Sequence, residues 1–288
     1  MIYTGIGIID SLYVPPPPPV EQLFTSNGTW SCCAGAKCVQ VIAVGGGAAG
    51  QFVRGCCLPG FSYNQRGGPG GGAGGVVICT LTSGFGTSQS VVIGSGGTSC
   101  AGSGCFCSSP GGASCFGTLV IANGGAIGAA STLTCDFVTC STISGGVGGN
   151  GSSNGGNAKG GGCIPTSNVV IYVSCNAGDP GQTIIGKPGG GGGGGSTIRR
   201  SSGEPLWYTG GVGGAGGSAS CICGIPLGAG GDGNSSSLNF SSPAARPGFP
   251  GTCYGAGGGG GGALDNNLNA NSCGGSGFQG AVKVIQYF

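Results

Sequence analysis

Apolar residues in this chain gather in short runs, and run after run stops at glycine. "KCVQVIAVGGGAAG", "QSVVIGSGGTSCAG" and "GTLVIANGGAIGAA" each set a β-rich stretch before a glycine tract, and "GGAGGVVICTLTSG" reverses the order. "NVVIYVSCNAG" repeats the pattern later, and the chain closes on "GAVKVIQYF". Short runs rich in Val, Ile, Tyr and Phe read as strands. No window holds an apolar period of about 3.6 residues, so little helix is expected. In "CVQVIAV" only Gln40 is polar, and it shares a face with Cys38 and Ile42, so these strands tolerate burial on both faces. The pattern predicts an all-β fold with little helix, a short-strand sandwich in which the terminal strand pairs back near the first.

Composition changes that picture at one point. Glycine supplies 75 of 288 residues, against a usual share of about 7%. There is no Gly-X-Y period, which excludes collagen. Disorder favours low hydrophobicity and high charge, whereas this chain is 38% hydrophobic and 6% charged. Ordering glycine is entropically costly, yet glycine alone lets extended backbones lie side by side at close range, as at the collagen axis. Tracts such as Gly189–Gly195 and Gly257–Gly262 therefore read either as packed polyglycine-II helices or as glycine-rich loops, and composition leaves both open.

The N-terminal stretch divides the chain. "VPPPPPV", Val14 to Val20, favours a polyproline II rod of roughly 15 Å at about 3.1 Å per residue. Residues 1–14 form a docking peg, 15–22 a polyproline spacer and 23–288 a glycine-rich β domain. The peg carries Ile2, Tyr3, Ile6, Ile8, Ile9, Leu12 and Tyr13, too short a set to fold alone and suited to docking on another protein. It lacks a basic leader region and Asp10 interrupts its apolar run, so no signal peptide is expected. No apolar segment has the length of a membrane span, so no membrane insertion is expected.

Charge and chemistry narrow the function. Nine basic and seven acidic residues give a net charge of +2, and Arg199-Arg200 is the only adjacent basic pair. Without a basic stripe, nucleic-acid binding is not expected. The chain has no histidine, which removes Ser-His-Asp and Cys-His relays and any His-containing metal site. Its 18 cysteines include Cys32-Cys33, Cys56-Cys57, Cys105/Cys107 and Cys221/Cys223, but no Cys-x-x-Cys. That spacing is what presents two thiolates to one zinc ion, so neither a metal nor a cofactor is expected. Cysteine also acts as a small buried hydrophobe, a reading favoured here over a disulfide framework. No carboxylate pair suited to hydrolysis stands out. Gly-x-Gly-x-x-Gly matches follow from glycine density alone. The chain reads as a protein that is not an enzyme.

"LFTSNGTWSCCAGAKCVQVIAVGGGAAG" resembles the opening of the glycine-rich domain of bacteriophage tail fibres and tail-tip adhesins. Phe24, Thr25, Gly28, Thr29, Trp30, Ala34, Gly35, Val39, Val41 and Gly45–Gly47 carry the likeness. "SVVIGSGGTS", "SCFGTLVIANGGAIG", "YGAGGGGGGALDNN" and the terminal "GAVKVIQYF" resemble later landmarks of the family, in order. Cysteine is the departure: Cys32 and Cys33 stand where the family usually has Val and Pro, and Cys79 sits inside a strand.

The resemblance implies a virion protein whose glycine runs build a polyglycine-II sandwich and whose distal loops bind the host surface, a glycan or an outer-envelope protein. Trp30 belongs to the core on this reading. The segments interrupting the glycine runs supply the receptor-binding candidates, since aromatics and Arg are enriched at binding hot spots. They are Arg199, Arg200, Trp207 and Tyr208; Phe240, Arg246, Phe249 and Tyr254; and Phe61, Tyr63 and Arg66. For each, plugging a small core is the competing role. Residues 1–14 would dock on other fibre, tail or baseplate proteins. The resemblance fits a homotrimer, the usual fibre state, and equally a monomeric tip, placed in the virion after assembly in the bacterial cytoplasm. The alternatives are a decoration or cement protein of the same fold, or a secreted Gly/Cys-rich matrix protein.

Overall fold

The computed structural model describes residues 15–51, 63–65, 68–99, 108–129, 179–194, 197–199, 214–233, 247–261 and 273–288. Their elements are strands: β1 Val20–Phe24, β2 Gly28–Ser31, β3 Cys38–Val44, β4 Tyr63–Gln65, β5 Val76–Leu81, β6 Ser88–Val92, β7 Ser114–Phe116, β8 Val120–Ala122, β9 Thr197–Arg199, β10 Ser220–Ile222, β11 Ile225–Leu227 and β12 Ala281–Tyr287. No helix occurs among the described residues, in line with the missing helical period. Residues 15–19 are exposed and carry no regular structure, and β1 begins at Val20, inside the 15–22 stretch. The peg residues 1–14 and the strand expected in "NVVIYVSCNAG" lie outside the described residues.

Two antiparallel sheets form the sandwich, one in the order β1-β12-β3-β5 and the other β2-β6-β7-β8. The terminal strand β12 lies between β1 and β3, with Val284 opposite both Gln22 and Val41. The expected pairing of last strand with first is therefore present. Period-2 alternation decides what each sheet buries. Phe24, Val39, Val41, Ala43, Val282 and Val284 face Trp30, Val91, Phe116, Val120 and Ala122 across the interface. Trp30 is fully buried and meets Phe116 edge-on at 5.2 Å between ring centroids. Core placement of Trp30 holds.

The other face of the β1-β12-β3-β5 sheet is covered too. The hairpin β10–β11 sets Ile225 and Leu227 against Ile42, Val44, Ala281 and Ile285. Burial from both sides explains why β3 and β12 are nearly continuous apolar runs, a pattern that one-sided strands do not show. The hairpin turns through Cys223 and Gly224 at φ of 46° and 76°, the two left-handed positions of a type I′ turn. Lys283 ties the hairpin down, donating from Nζ to the Cys223 carbonyl at 3.0 Å and pairing with Glu21 at 2.7 Å.

Beyond the strands the glycine runs pack into a block. Run 45–51 shows how. Gly45, Ala48 and Gln51 donate to carbonyls of run 68–75; Gly46 and Ala49 to run 108–113; Gly47 and Gly50 to run 273–280. The donors of 93–99, 123–129 and 255–261 reach carbonyls of 45–51 in return. Every third residue thus addresses the same neighbour, the three-residue turn of a polyproline-II-type helix. Run 188–194 repeats the pattern, with Gly189 and Gly192 donating to 228–233, Gly190 and Gly193 to 179–184, and Gly191 and Gly194 to 68–75. The described tracts are packed polyglycine-II helices, which decides between the two readings that composition left open.

Candidate functional site

The order of strands and runs gives the molecule two ends. β3, β5, β6, β7, β8, β10, β11 and β12 all join their glycine runs at the end where Val44, Val76 and Ala281 meet in register. Pro15–Pro19 lead in at the opposite end of the strands, where Val20 lies across from Gln286. The chain then runs out through the block and back. It leaves at 51 and returns at 68, leaves at 99 and returns at 108, and does the same at 129 and 179, 194 and 214, 233 and 247, and 261 and 273.

Hydrogen bonds show that these exits share one level. Gln51 donates to Pro69, Gly68 to Gly261, Gly261 to Gln51, and Gly194 to Gly68. Gly193 donates to Asp179, Gly214 to Gly193, Gly233 to Gly214, and Gly248 to Cys273. The Gln51 side chain, buried, donates from Nε2 to Gly128 at 2.8 Å, and Ser108 Oγ donates to Gly50. The described residues that flank each interruption therefore lie together at one end of the block, the loop end, remote from Pro15–Pro19.

Most sequence-derived receptor candidates fall in those connections. Phe61, Arg66, Arg200, Trp207, Tyr208, Phe240 and Arg246 lie outside the described residues. Two that belong to separate connections are brought together: β4 pairs antiparallel with β9, and Tyr63 lies directly opposite Arg199. Phe249 sits on run 247–252 one residue past Gly248 at the loop end, and is 54% exposed. Tyr254 is different. It bridges to Leu227 at the near end, packs edge-on against Phe278 at 6.0 Å, and joins the cluster under the hairpin. Of the described candidates, Tyr254 fills the packing role and Phe249 does not.

Sequence reading missed the shared end, and with it Arg54. All five arginines of the chain, Arg54, Arg66, Arg199, Arg200 and Arg246, fall between an exit and a return. Outside these connections the described residues carry only lysine among basic residues: Lys37, Lys187 and Lys283. The signal was present in the out-and-back alternation of strand, glycine and interruption, which fixes the end of the block to which the residues flanking each interruption belong. Arginine's planar fork suits bidentate contact with carboxylate or phosphate. Among the described residues no group of three or more His, Cys, Asp or Glu could hold a metal ion. The cysteines Cys32, Cys33, Cys38, Cys79, Cys115, Cys221, Cys223 and Cys253 are free thiols.

The architecture is a β-sandwich carrying a block of packed glycine helices, with the residues that flank its connections gathered at one end. The chain belongs to the glycine-rich domain family, whose family model matches residues 24–287. No curated protein matches it.

Proposed function

We propose that this chain is a bacteriophage virion structural protein, a tail fibre or tail-tip adhesin that binds the host cell surface at its loop end. The observation that carries the reading is that the described residues flanking every interruption gather at the end remote from Pro15–Pro19. A rod and peg at one pole and a display of Arg and aromatic residues at the other is the polarity that an attachment protein needs. The role is binding, not catalysis. The partner is a surface glycan or outer-envelope protein, recognised by flat aromatic faces and by the bidentate arginine fork. Residues 1–14 anchor the chain to fibre, tail or baseplate proteins. Free thiols throughout the described residues suit assembly in a reducing cytosol.

Gold-labelled antibody against the chain, applied to intact virions and viewed by electron microscopy, tests this. Gold at distal fibre or tail tips is the expected result. Gold spread over the capsid or along the tail would assign a decorating or cementing role instead, and virions without label would remove the reading altogether.

A further inference from the structure

Among the described residues, one strand edge of the sandwich is left without any of the usual guards. Sheets end in unpaired N–H and C=O groups that template pairing with another chain, and proteins usually guard them with charge, proline, bulges or brevity. β1 is guarded, since Pro15–Pro19 lead into it and Glu21 lies along it. β2 and β8, the edges of the second sheet, have 4 and 3 residues. β5 has 6 residues, Val-Val-Ile-Cys-Thr-Leu, with no charge, no proline and no bulge in its register with β3.

The free groups of β5 can be identified. Gly45 donates to Gly75 at the head of the β3–β5 pair. Antiparallel ladders alternate, so Val77, Cys79 and Leu81 bond to β3, while Ile78 and Thr80 turn their backbone groups outward. Both are exposed, Ile78 at 46%. Among the described residues no other segment bonds to these outward groups.

We propose that β5 is a self-association edge, pairing antiparallel with β5 of a second copy of this chain. The strand is complementary to itself. A two-fold axis at Cys79 sets Ile78 opposite Thr80 of the second copy, and Thr80 opposite its Ile78. The outward N–H and C=O of each residue then meet their counterparts, and all facing side chains are uncharged. Two four-stranded sheets fuse into one continuous sheet. Because β1 is guarded, growth stops at two copies, the closed outcome of an isologous contact. The two glycine blocks point in opposite directions, so the loop ends lie at the two poles of the pair. This inference stands on the strand edge and does not rest on the virion reading.

Sedimentation equilibrium on the full chain decides it, loaded at about 100 μM so that a small interface is still populated. The expected mass is that of two chains. Thr80→Pro removes an N–H that no described residue bonds, and proline is tolerated at such edge positions. Thr80→Lys keeps the N–H and adds the charge that natural edges carry. Both variants should sediment as single chains, and Thr80→Lys should keep the thermal midpoint that the parent shows at dilutions where pairing is lost. A single-chain mass for the parent protein overturns the proposal. So does a two-chain mass that survives in Thr80→Lys, even if Thr80→Pro fails to fold.

Discussion

At Gly46 an added Cβ would lie 2.1 Å from the carbonyl oxygen of Ser95, a position no side chain can share with backbone. At Gly84 it would meet nothing within 4 Å, and only the φ of +76° opposes it. The two glycines therefore serve different ends, one to let helices touch and one to let a turn reverse. Alanine tests the distinction. Gly84→Ala should cost about 1 kcal/mol, the strain of an L-residue in the left-handed region. Gly46→Ala should cost about 3 kcal/mol or more, above the usual overpacking range, because the obstacle is main chain and cannot rotate away. Denaturant midpoints of the two variants measure the difference, and equal losses would mean that Gly46 is not packed as described. Ala48, Ala49, Ala73 and Ala256, all fully buried, mark the places where the block has room for a methyl group.

The hairpin β10–β11 is held over β3 and β12 by Ile225 and Leu227, but its turn is chemically awkward. Cys223 adopts φ of 46°, the only non-glycine residue with positive φ among those described. Type I′ turns favour Asn before Gly, so Cys223→Asn should stabilise the protein by about 0.5–1 kcal/mol, seen as a higher urea midpoint with an unchanged slope. A lower midpoint would show that the thiol contributes something the turn geometry does not capture. At this scale much was legible beforehand. The strands of "CVQVIAV", "SVV", "VVICTL" and "AVKVIQY" follow from β-branched density, and the continuous apolar character of β3 foretold burial on both faces. The hairpin itself was not legible, because "SCICGIPL" has neither an Asn-Gly turn nor alternation long enough to read as two strands. Tyr254 stood among the receptor candidates for a related reason: Gly255 and a glycine tract follow it in sequence, while its packing partner Phe278 is distant in the chain.

For the whole molecule, each run is short and unremarkable alone, and only the three-way hydrogen bonding among runs makes a body of them. Pairing between runs as remote as 45–51 and 273–280 cannot be read from local sequence, which is why packed helices and loops stood level on composition. The fate of the candidate residues depends on that body. If the runs are rigid, the residues that flank each connection form a fixed end; if they move, no common end exists. Amide hydrogen exchange on the native protein tests this most directly. Gly46, Gly47, Gly50, Gly258 and Gly260 donate to neighbouring runs at 2.8–2.9 Å, and the account predicts that their exchange is slowed by about a thousandfold or more, alongside the amides of β3 and β12. Exchange of these glycines at the rate of an unstructured chain, while β3 and β12 stay protected, would contradict the packed block and with it the fixed loop end.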